Sequence, residues 1–495
     1  MSLLRKIIGG TLLVGFIVLS LMAAGRYDSG FTAGFLMELD PLVAVTTSLA
    51  TGVLYAGLWM GIVVLIATLF FGRFFCSWVC PLGVSQDLAA VLPASRKASI
   101  KKAKNRYRAI YHLKYGILTA LLVLAVLGPV QIGLLDPLAL FLRSVTGLVV
   151  PSLQATGLPL GASQRLGAGA FVTGMLLVSI LVATRFVPRA WCRTACPLGA
   201  LLGLAARWSL FQIRRDPAKC TDCGLCNQVC HGAANPQGAF RPSECVLCFN
   251  CVTVCPEHAL SYGRSNTFKI QSDQSPDLTR RRILTATGAG LVAYPLLRSG
   301  TGSTRKPDPA LIRPPGSLSE REFLSRCVKC AACMDVCPTG GLQPAQGQGG
   351  IEALWTPVLI PTIGFCESTC TLCGEHCPTG AIRQLTLDDR RGRPGKPPVK
   401  IGTAFIDRGR CLAWGMDRPC LVCEEVCPVS PKAIVTVEGR RSDGSKLLLP
   451  RVEPSRCIGC GICENHCPVV DRPAIQVSSV GETRSHKNRF LLKPS

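Results

Sequence analysis

Cysteine accounts for 28 of the 495 residues, and its spacing is the first sign of chemistry. Four sets follow C-x2-C-x2-C-x3-C: Cys220, Cys223, Cys226, Cys230; Cys245, Cys248, Cys251, Cys255; Cys327, Cys330, Cys333, Cys337; and Cys457, Cys460, Cys463, Cys467. Two looser sets complete the series. Cys366, Cys370, Cys373 and Cys377 open with three intervening residues, whereas Cys411, Cys420, Cys423 and Cys427 open with eight. Three thiolates this close wrap one face of an iron–sulfur cube, and the fourth, starting a short helix, reaches the neighbouring cube. Proline follows the fourth cysteine in every set but one, and it suits the first helical turn, where its missing N–H is no loss. The exception is Cys230, which precedes His231. Soft thiolates favour iron–sulfur clusters. Structural zinc usually takes separated C-x2-C pairs or histidines, and cysteines this close within a run pair poorly as disulfides. A C-x2-C-H haem attachment is absent, because Cys226 stands one residue too far from Cys230-His231. His376 and His466 precede cluster cysteines, and the expected role is packing and hydrogen bonding. His112 could move protons, but an interfacial role is the simpler expectation. The six sets therefore predict six [4Fe–4S] clusters.

Four cysteines remain, in an internal repeat. Phe75-Cys76-Ser77-Trp78-Val79-Cys80-Pro81-Leu82-Gly83 matches Trp191-Cys192-Arg193-Thr194-Ala195-Cys196-Pro197-Leu198-Gly199. Each copy closes an apolar stretch, which places both at one membrane surface. There Cys76, Cys80, Cys192 and Cys196 could hold a seventh metal centre or act as redox-active thiols; inert buried packing is the bland alternative.

The elements that must carry these groups are of two kinds. Hydrophobic residues reach 48%, charged residues only 17%, and mean hydropathy is +0.33. A soluble domain usually carries about 25% charged residues. Apolar stretches at 7–25, 51–71, 113–133 and 167–187 are long enough for transmembrane helices, which need about 20 residues. Arg96, Lys97, Lys101, Lys102, Lys104, Arg106 and Arg108 follow the second stretch, and Arg185, Arg189, Arg193, Arg207, Arg214 and Arg215 accompany or follow the fourth. The loops at 26–50 and 134–166 are poor in such residues, so the N-terminus and both basic regions are expected on the cytoplasmic side. The formal charge of +24 does not require nucleic acid. Six oxidised clusters, each about −2 with its four thiolates, would roughly halve it. The apolar content excludes disorder for most of the chain, and the length excludes a small disulfide-stapled fold.

Residues 263–318 form a linker that contains Thr279-Arg280-Arg281-Arg282-Ile283-Leu284 and a weakly apolar run. This resembles a twin-arginine export signal, and it would supply a fifth, weaker span. The expected fold is an α-helical membrane domain of four transmembrane helices, with that weak fifth, plus α+β ferredoxin-like [4Fe–4S] domains. Its parts are a membrane domain at 1–210, a two-cluster domain at 211–262, the linker at 263–318 and a four-cluster domain at 319–495.

The repeated C-x3-C-P-L-G, the four apolar stretches and the first two cysteine sets resemble the NapH/MauN family of membrane ferredoxins. The twin-arginine segment and the last four sets resemble the NapG/MauM family, so the chain looks like a fusion of the two. The resemblance implies a bacterial inner-membrane protein that draws electrons from the quinol pool and delivers them to a periplasmic oxidoreductase or cytochrome, of nitrate-reductase or amine-dehydrogenase type. It also implies cube sharing between first and last motifs of the four-cluster part: Cys327, Cys330 and Cys333 with Cys467; Cys457, Cys460 and Cys463 with Cys337; Cys366, Cys370 and Cys373 with Cys427; Cys411, Cys420 and Cys423 with Cys377. No nucleophile–base pair is visible in the sequence. The rival class is a metal-handling maturation factor working through the four membrane-domain thiols.

Overall fold

Two Asp-Pro steps organise the N-terminal half. In a computed structural model, which describes residues 2–24, 34–53, 56–91, 105, 107–156, 168–264, 279–298, 308–393, 395–485 and 488, both begin short helices. The described helices of eight or more residues in this part are α1 (Ser2–Ala24), α2 (Pro41–Thr51), α3 (Trp59–Phe71), α4 (Pro81–Val91), α5 (Leu113–Val126), α6 (Pro137–Ser144), α7 (Ala168–Phe186), α8 (Pro197–Ala206) and α9 (Arg280–Arg298). Asp40 and Asp136 are the N-caps of α2 and α6, each followed by proline at the first helical position. That pairing of an acceptor cap with a pre-set φ is a strong helix start. Within the stretches expected as loops at 26–50 and 134–166, the described residues 34–50 and 134–156 are thus largely helical, contrary to the sequence-based expectation.

Among the described residues, two helices are long and apolar enough to cross a membrane, Ser2–Met22 and Ala109–Val126. The stretch expected at 51–71 is shorter than its composition suggests. Gly52 takes a left-handed conformation and ends α2, so α3 keeps only 13 residues. At 1.5 Å per residue that is about 20 Å, against a hydrocarbon core of about 30 Å. In the fourth stretch the apolar helix runs over Phe171–Phe186. The weakly apolar run forms α9, whose first turn is Arg280-Arg281-Arg282 and whose interior carries Pro295. The basic residues Arg96, Lys97, Lys101, Lys102, Lys104 and Arg106 lie outside the described residues.

The chain divides into two units: Met1–Ser20, Ala33–Val145 and Ala170–Pro295 form one, and Leu21–Thr32, Thr146–Gly169 and Leu296–Ser495 the other. In the first, α2 packs on α3, α5 and α8, while α6 packs on α4. Its cysteine-rich segment is framed by an antiparallel pair, β1 (Phe211–Arg215) with β2 (Leu260–Arg264), in register Phe211 to Arg264. Among its described residues the second unit holds three further antiparallel pairs: β3 (Leu342–Pro344) with β4 (Pro357–Leu359), β5 (Thr403–Ile406) with β8 (Ile475–Ser478), and β6 (Ile434–Arg440) with β7 (Lys446–Val452). Two-stranded ribbons alternating with one-turn helices are the expected α+β ferredoxin pattern. Their cores are thin and sulfur-rich: Cys327, Cys333, Cys373, Cys457 and Cys463 belong to the main buried cluster, beside Phe323, Ile382, Ile434 and Ile475.

One charged network braces this second unit. Glu320, at the start of α10 (Glu320–Arg326), accepts from the buried Arg313 and from Arg484. Burial alone would raise the Glu320 carboxyl above its ordinary 4.5, but the two guanidinium groups overcome this and hold it at about 2. A carboxyl lowered by folding contributes stability above its unfolded pKa and loses it as pH falls toward the folded value. Glu320→Gln should therefore destabilise the second unit by about 1–3 kcal/mol at neutral pH. Wild type should converge on the variant in urea melts as pH drops from about 4.5 towards 2; a constant gap over that range would contradict the assignment.

Candidate metal centres

Each cysteine run makes a tight loop and then a one-turn helix, which sets its first three sulfurs around one side of a shared space. Left-handed residues set the loops: Gly224 and Gly461 precede the helical turns of the first and sixth sets, and Phe249 and Ala331 do so in the second and third. The fourth cysteine, at the far end of the turn, leaves its own set and joins the partner's.

In the first unit Cys220, Cys223 and Cys226 line a hollow with Cys255. Cys245, Cys248 and Cys251 instead have Cys230 within electrostatic reach. In the second unit Cys366, Cys370 and Cys373 line a hollow with Cys337, and Cys411, Cys420 and Cys423 line another with Cys467. Cys327, Cys330 and Cys333 face Cys377, while Cys457, Cys460 and Cys463 face Cys427. Sharing therefore runs between consecutive motifs, third with fourth and fifth with sixth. The first-with-last pairing implied by resemblance is not what the fold makes. Gly316 shows why: its carbonyl accepts from Arg383 N at 2.9 Å, and Leu318 N donates to Ala381 O at 3.1 Å, so the chain just before the third set is tied to the chain just after the fourth.

Each of the three sulfur-lined hollows has four cysteines in its wall, three from one run and the fourth from another. Among the described residues no three His, Cys, Asp or Glu converge closely enough for a single metal ion. A mononuclear zinc would draw its sulfurs to about 2.3 Å, whereas a cubane needs them spread around a central space. The residues fit a four-iron cube better than one ion. Burial pushes the thiols up, Cys226, Cys327 and Cys366 to about 11 and Cys330, Cys423 and Cys460 to about 12. Ligation must displace those protons, so loading releases acid. When bound, a cube takes up or gives one electron without breaking a bond. The protein's part is to tune it. Buried Arg390 donates to Cys366 Sγ at 3.1 Å, and Ala234 N, Ile382 N and Ala404 N donate to Cys230, Cys377 and Cys457 at 3.3–3.4 Å. Such hydrogen bonds to sulfur favour the reduced cube.

His376 Nδ1 lies 2.9 Å from Leu372 O and His466 Nδ1 3.1 Å from Ile462 O, the packing role expected of both. His112 Nε2 lies 3.3 Å from the Tyr107 hydroxyl. His231 replaces a proline for a visible reason: its Nδ1 is 2.8 Å from Asp87 Oδ1 and its Nε2 3.2 Å from Asn250 Nδ2.

The fold gathers Cys76, Cys80, Cys192 and Cys196 at one buried place, each 7% exposed or less and within electrostatic reach of the others. The glycine of each repeat is required there. A Cβ on Gly83 would lie 2.2 Å from Cys76 O, and one on Gly199 2.9 Å from Arg73 Nη2 and 3.3 Å from Cys196 Sγ. Gly199 N donates to Cys196 Sγ at 3.2 Å and Gln86 Nε2 to Cys192 Sγ at 3.4 Å.

Two arginines take a role at the site that the sequence did not assign them, Arg189 having been read as a membrane flank and Arg73 not at all, although the signal was present: each repeat has arginine three residues before its first cysteine. Both are 1% exposed. Arg73 donates to Cys76 Sγ at 3.8 Å and to Ser243 O at 2.6 Å, two residues before Cys245. Arg189 donates to Cys76 O at 3.1 Å and pairs with Asp87, which holds His231 next to Cys230. Arg193 donates to Cys230 O at 2.9 Å, and Trp78 Nε1 to Leu247 O at 3.2 Å. Both thiol repeats are thus keyed to one set of sulfurs, Cys230, Cys245, Cys248 and Cys251.

Loops of this kind define an iron–sulfur protein of ferredoxin type that transfers electrons. A family model described as a 4Fe-4S binding domain matches residues 53–101 and 169–215, the two C-x3-C-P-L-G regions, and a second of the same description matches 323–343 and 450–470. The chain is 33% identical over 205 residues to the methylamine utilization ferredoxin-type protein MauM of Methylorubrum extorquens, covering 40% of this chain and 88% of that protein. It is 33% identical over 211 residues to the ferredoxin-type protein NapG of Escherichia coli, covering 41% and 86%. MauM of Paracoccus denitrificans is 35% identical over 177 residues, 34% of this chain and 72% of the relative. The chain belongs to the MauM/NapG family of ferredoxin-type proteins.

The pairing of sulfur sets is directly testable. Cys327→Ser and Cys377→Ser should each alter the same electron paramagnetic resonance signal of the reduced protein, and Cys467→Ser should alter a different one shared with Cys411→Ser. Loss of the Cys327 signal in Cys467→Ser would restore the first-with-last pairing.

Proposed function

We propose that the chain is a membrane-bound electron wire. It carries electrons from the quinol pool through six [4Fe–4S] clusters to a periplasmic respiratory enzyme, an oxidoreductase or cytochrome partner of nitrate-reductase or amine-dehydrogenase type. The observation that carries this reading is the contiguity of the sulfur sets within each unit. In the second unit Cys333 is within electrostatic reach of Cys373, Cys460 of Cys366, and Cys463 of Cys423. Backbone bonding reinforces the middle step, with Cys366 N donating to Cys460 O at 2.8 Å. The order along this line is the third set, the fourth, the sixth and the fifth. In the first unit Cys251 is within reach of Cys226, and the membrane-domain thiols stand behind Cys230 and Cys245.

In this reading the N-terminal half is a NapH/MauN-like membrane part fused to a MauM/NapG-like part. It sits in the bacterial inner membrane, with the first cluster pair cytoplasmic and the C-terminal clusters periplasmic. Support comes from the two long apolar helices, the basic residues after the second and fourth apolar stretches, and the twin-arginine segment at the start of α9. Cys76, Cys80, Cys192 and Cys196 serve as the electron entry point, as thiols or as a polynuclear seventh centre.

Quinol added anaerobically to the purified protein in detergent should bleach the cluster absorbance. Cys76→Ser should slow that bleaching about tenfold or more, equivalent to at least ~1.4 kcal/mol of barrier, while keeping the six soluble-domain clusters. No bleaching, together with copper bound at Cys76, Cys80, Cys192 and Cys196, would replace this reading with metal handling during maturation of a partner enzyme.

A further inference from the structure

Arg390 is 1% exposed, although it belongs to a run of charged residues, Asp388-Asp389-Arg390-Arg391. It sits in a short helix of the second unit, α11 (Leu387–Arg391). A capping box fixes the start of that helix: Asp389 N donates to Thr386 Oγ1 at 3.2 Å, and Thr386 N donates to Asp389 Oδ2 at 3.1 Å. Gly392 closes it with a φ of +79°, and Val399 N donates to Asp389 O at 2.9 Å. The backbone thus holds the guanidinium against the fourth sulfur set. Its Nη2 donates to Cys366 Sγ at 3.1 Å and to Glu367 O at 2.9 Å. Cys366 and Glu367 both line the hollow shared by Cys337, Cys370 and Cys373.

The rest of the guanidinium is not used by the protein. Nε and Nη1 are buried with no acceptor among the described residues. Among those residues no carboxylate pairs with Arg390, because its neighbours Asp388 and Asp389 pair with Arg393 and Lys396. A guanidinium is always charged, and a buried charge without a counter-ion is strongly disfavoured. The anion within its reach is the sulfur set, since it acts on Cys366, Cys370 and Cys373 together.

The other sets of this unit are treated differently. Cys377 and Cys457 accept from the uncharged N–H groups of Ile382 and Ala404. Arg313 and Lys329 act on Cys327, but Arg313 is ion-paired with Glu320, and Lys329 Nζ donates to Glu352 O at 3.0 Å. Lys400 acts on Cys457 from a half-buried position, with its Nζ donating to Pro454 O at 2.8 Å. Glu375 opposes Arg390 by acting on Cys370, yet it is exposed and bonded to the Thr371 hydroxyl. A buried charge acts more strongly than one screened by solvent.

We propose that Arg390 is a positioning residue for the electron: its unpaired guanidinium makes the cube of Cys366, Cys370, Cys373 and Cys337 the highest in potential of the second unit, so that an electron entering the unit comes to rest there. The proposal rests on reading the sulfur sets as [4Fe–4S] cubes, and not on the identity of the donor or acceptor. One electron turns one iron from ferric to ferrous; no bond forms or breaks, and the guanidinium stabilises the added negative charge. In the order third, fourth, sixth, fifth, the resting place is the second position. Cys366 N, donating to Cys460 O at 2.8 Å, joins it to the next set.

Redox titration of the full-length protein with dithionite, followed by electron paramagnetic resonance, tests this. The signal of this cube is the one that Cys370→Ser alters. In wild type it should appear before the other signals of the second unit. Arg390→Gln should make that centre about tenfold or more harder to reduce, ~59 mV for one electron, with the iron content and the other midpoints unchanged. Arg390→Lys, which keeps the charge without the planar fork, should recover part of the shift. An unmoved midpoint in Arg390→Gln, a lysine variant no easier to reduce than the glutamine one, or another second-unit signal appearing first in wild type would each overturn the proposal. If Arg390→Gln loses this cube, about four iron per chain, the order of reduction in wild type decides. Iron-free or zinc-loaded wild type would sink the cluster reading itself, whereas six cubes with an unmoved midpoint would sink the role of Arg390 alone.

Discussion

The bond between a buried cysteine sulfur and iron is the interaction on which this molecule depends. Its cysteine-rich lobes have short ribbons, one-turn helices and a core in which sulfur replaces much of the usual aliphatic packing. Small lobes of that kind hold together through their metal, so binding energy and folding energy are largely the same quantity. Burial works against the bare thiols by pushing them towards protonation, and only cations at the centre of each set reverse that. The same ligation fixes the order of the centres. Because the fourth cysteine of each motif crosses to its partner, two motifs cannot fold independently, and their two sulfur sets lie side by side.

The N-terminal half depends on that constraint as well. Its two repeats, arginine followed by C-x3-C-P-L-G, lie against the sulfur set of Cys230, Cys245, Cys248 and Cys251 through Arg73, Arg189, Arg193 and Trp78. These arginines are almost wholly buried, and their hydrogen bonds, with the Arg189–Asp87 ion pair, offset part of the cost of taking the guanidinium groups out of water. The contacts join the apolar helices to the first pair of motifs as one unit. Duplication is visible at two levels, in the cysteine repeats and in the Asp-Pro helix starts, and the packing crosses them: α2 of the first copy lies on α8 of the second, and α6 of the second on α4 of the first.

Much of the chemistry was legible in the sequence because cysteine spacing is a local property, set within about ten residues. The roles of His376 and His466 were legible for the same reason, each bonding a carbonyl four residues back. Cube sharing was not, because it depends on which motifs lie beside each other, and short ties such as Arg383 N to Gly316 O decide that. Nor were the lengths of the apolar helices. Composition alone did not reveal that Gly52 would end α2 and leave α3 with 13 residues. Arg73, Arg189, Asp40 and Asp136 were repeated in plain view, but charged residues near apolar stretches read as flanks until tertiary packing buries them. His231 read as a defect in a motif, and it proves to be a partner of Asp87.

The most direct measurement is Mössbauer spectroscopy of anaerobically purified, iron-57-enriched protein, combined with iron, sulfide and zinc analysis. Six cubes predict about 24 iron and as many sulfide per chain, with the spectrum of paired ferric and ferrous sites in tetrahedral sulfur. Colourless protein, or zinc in place of iron with no sulfide, would contradict the account at its foundation.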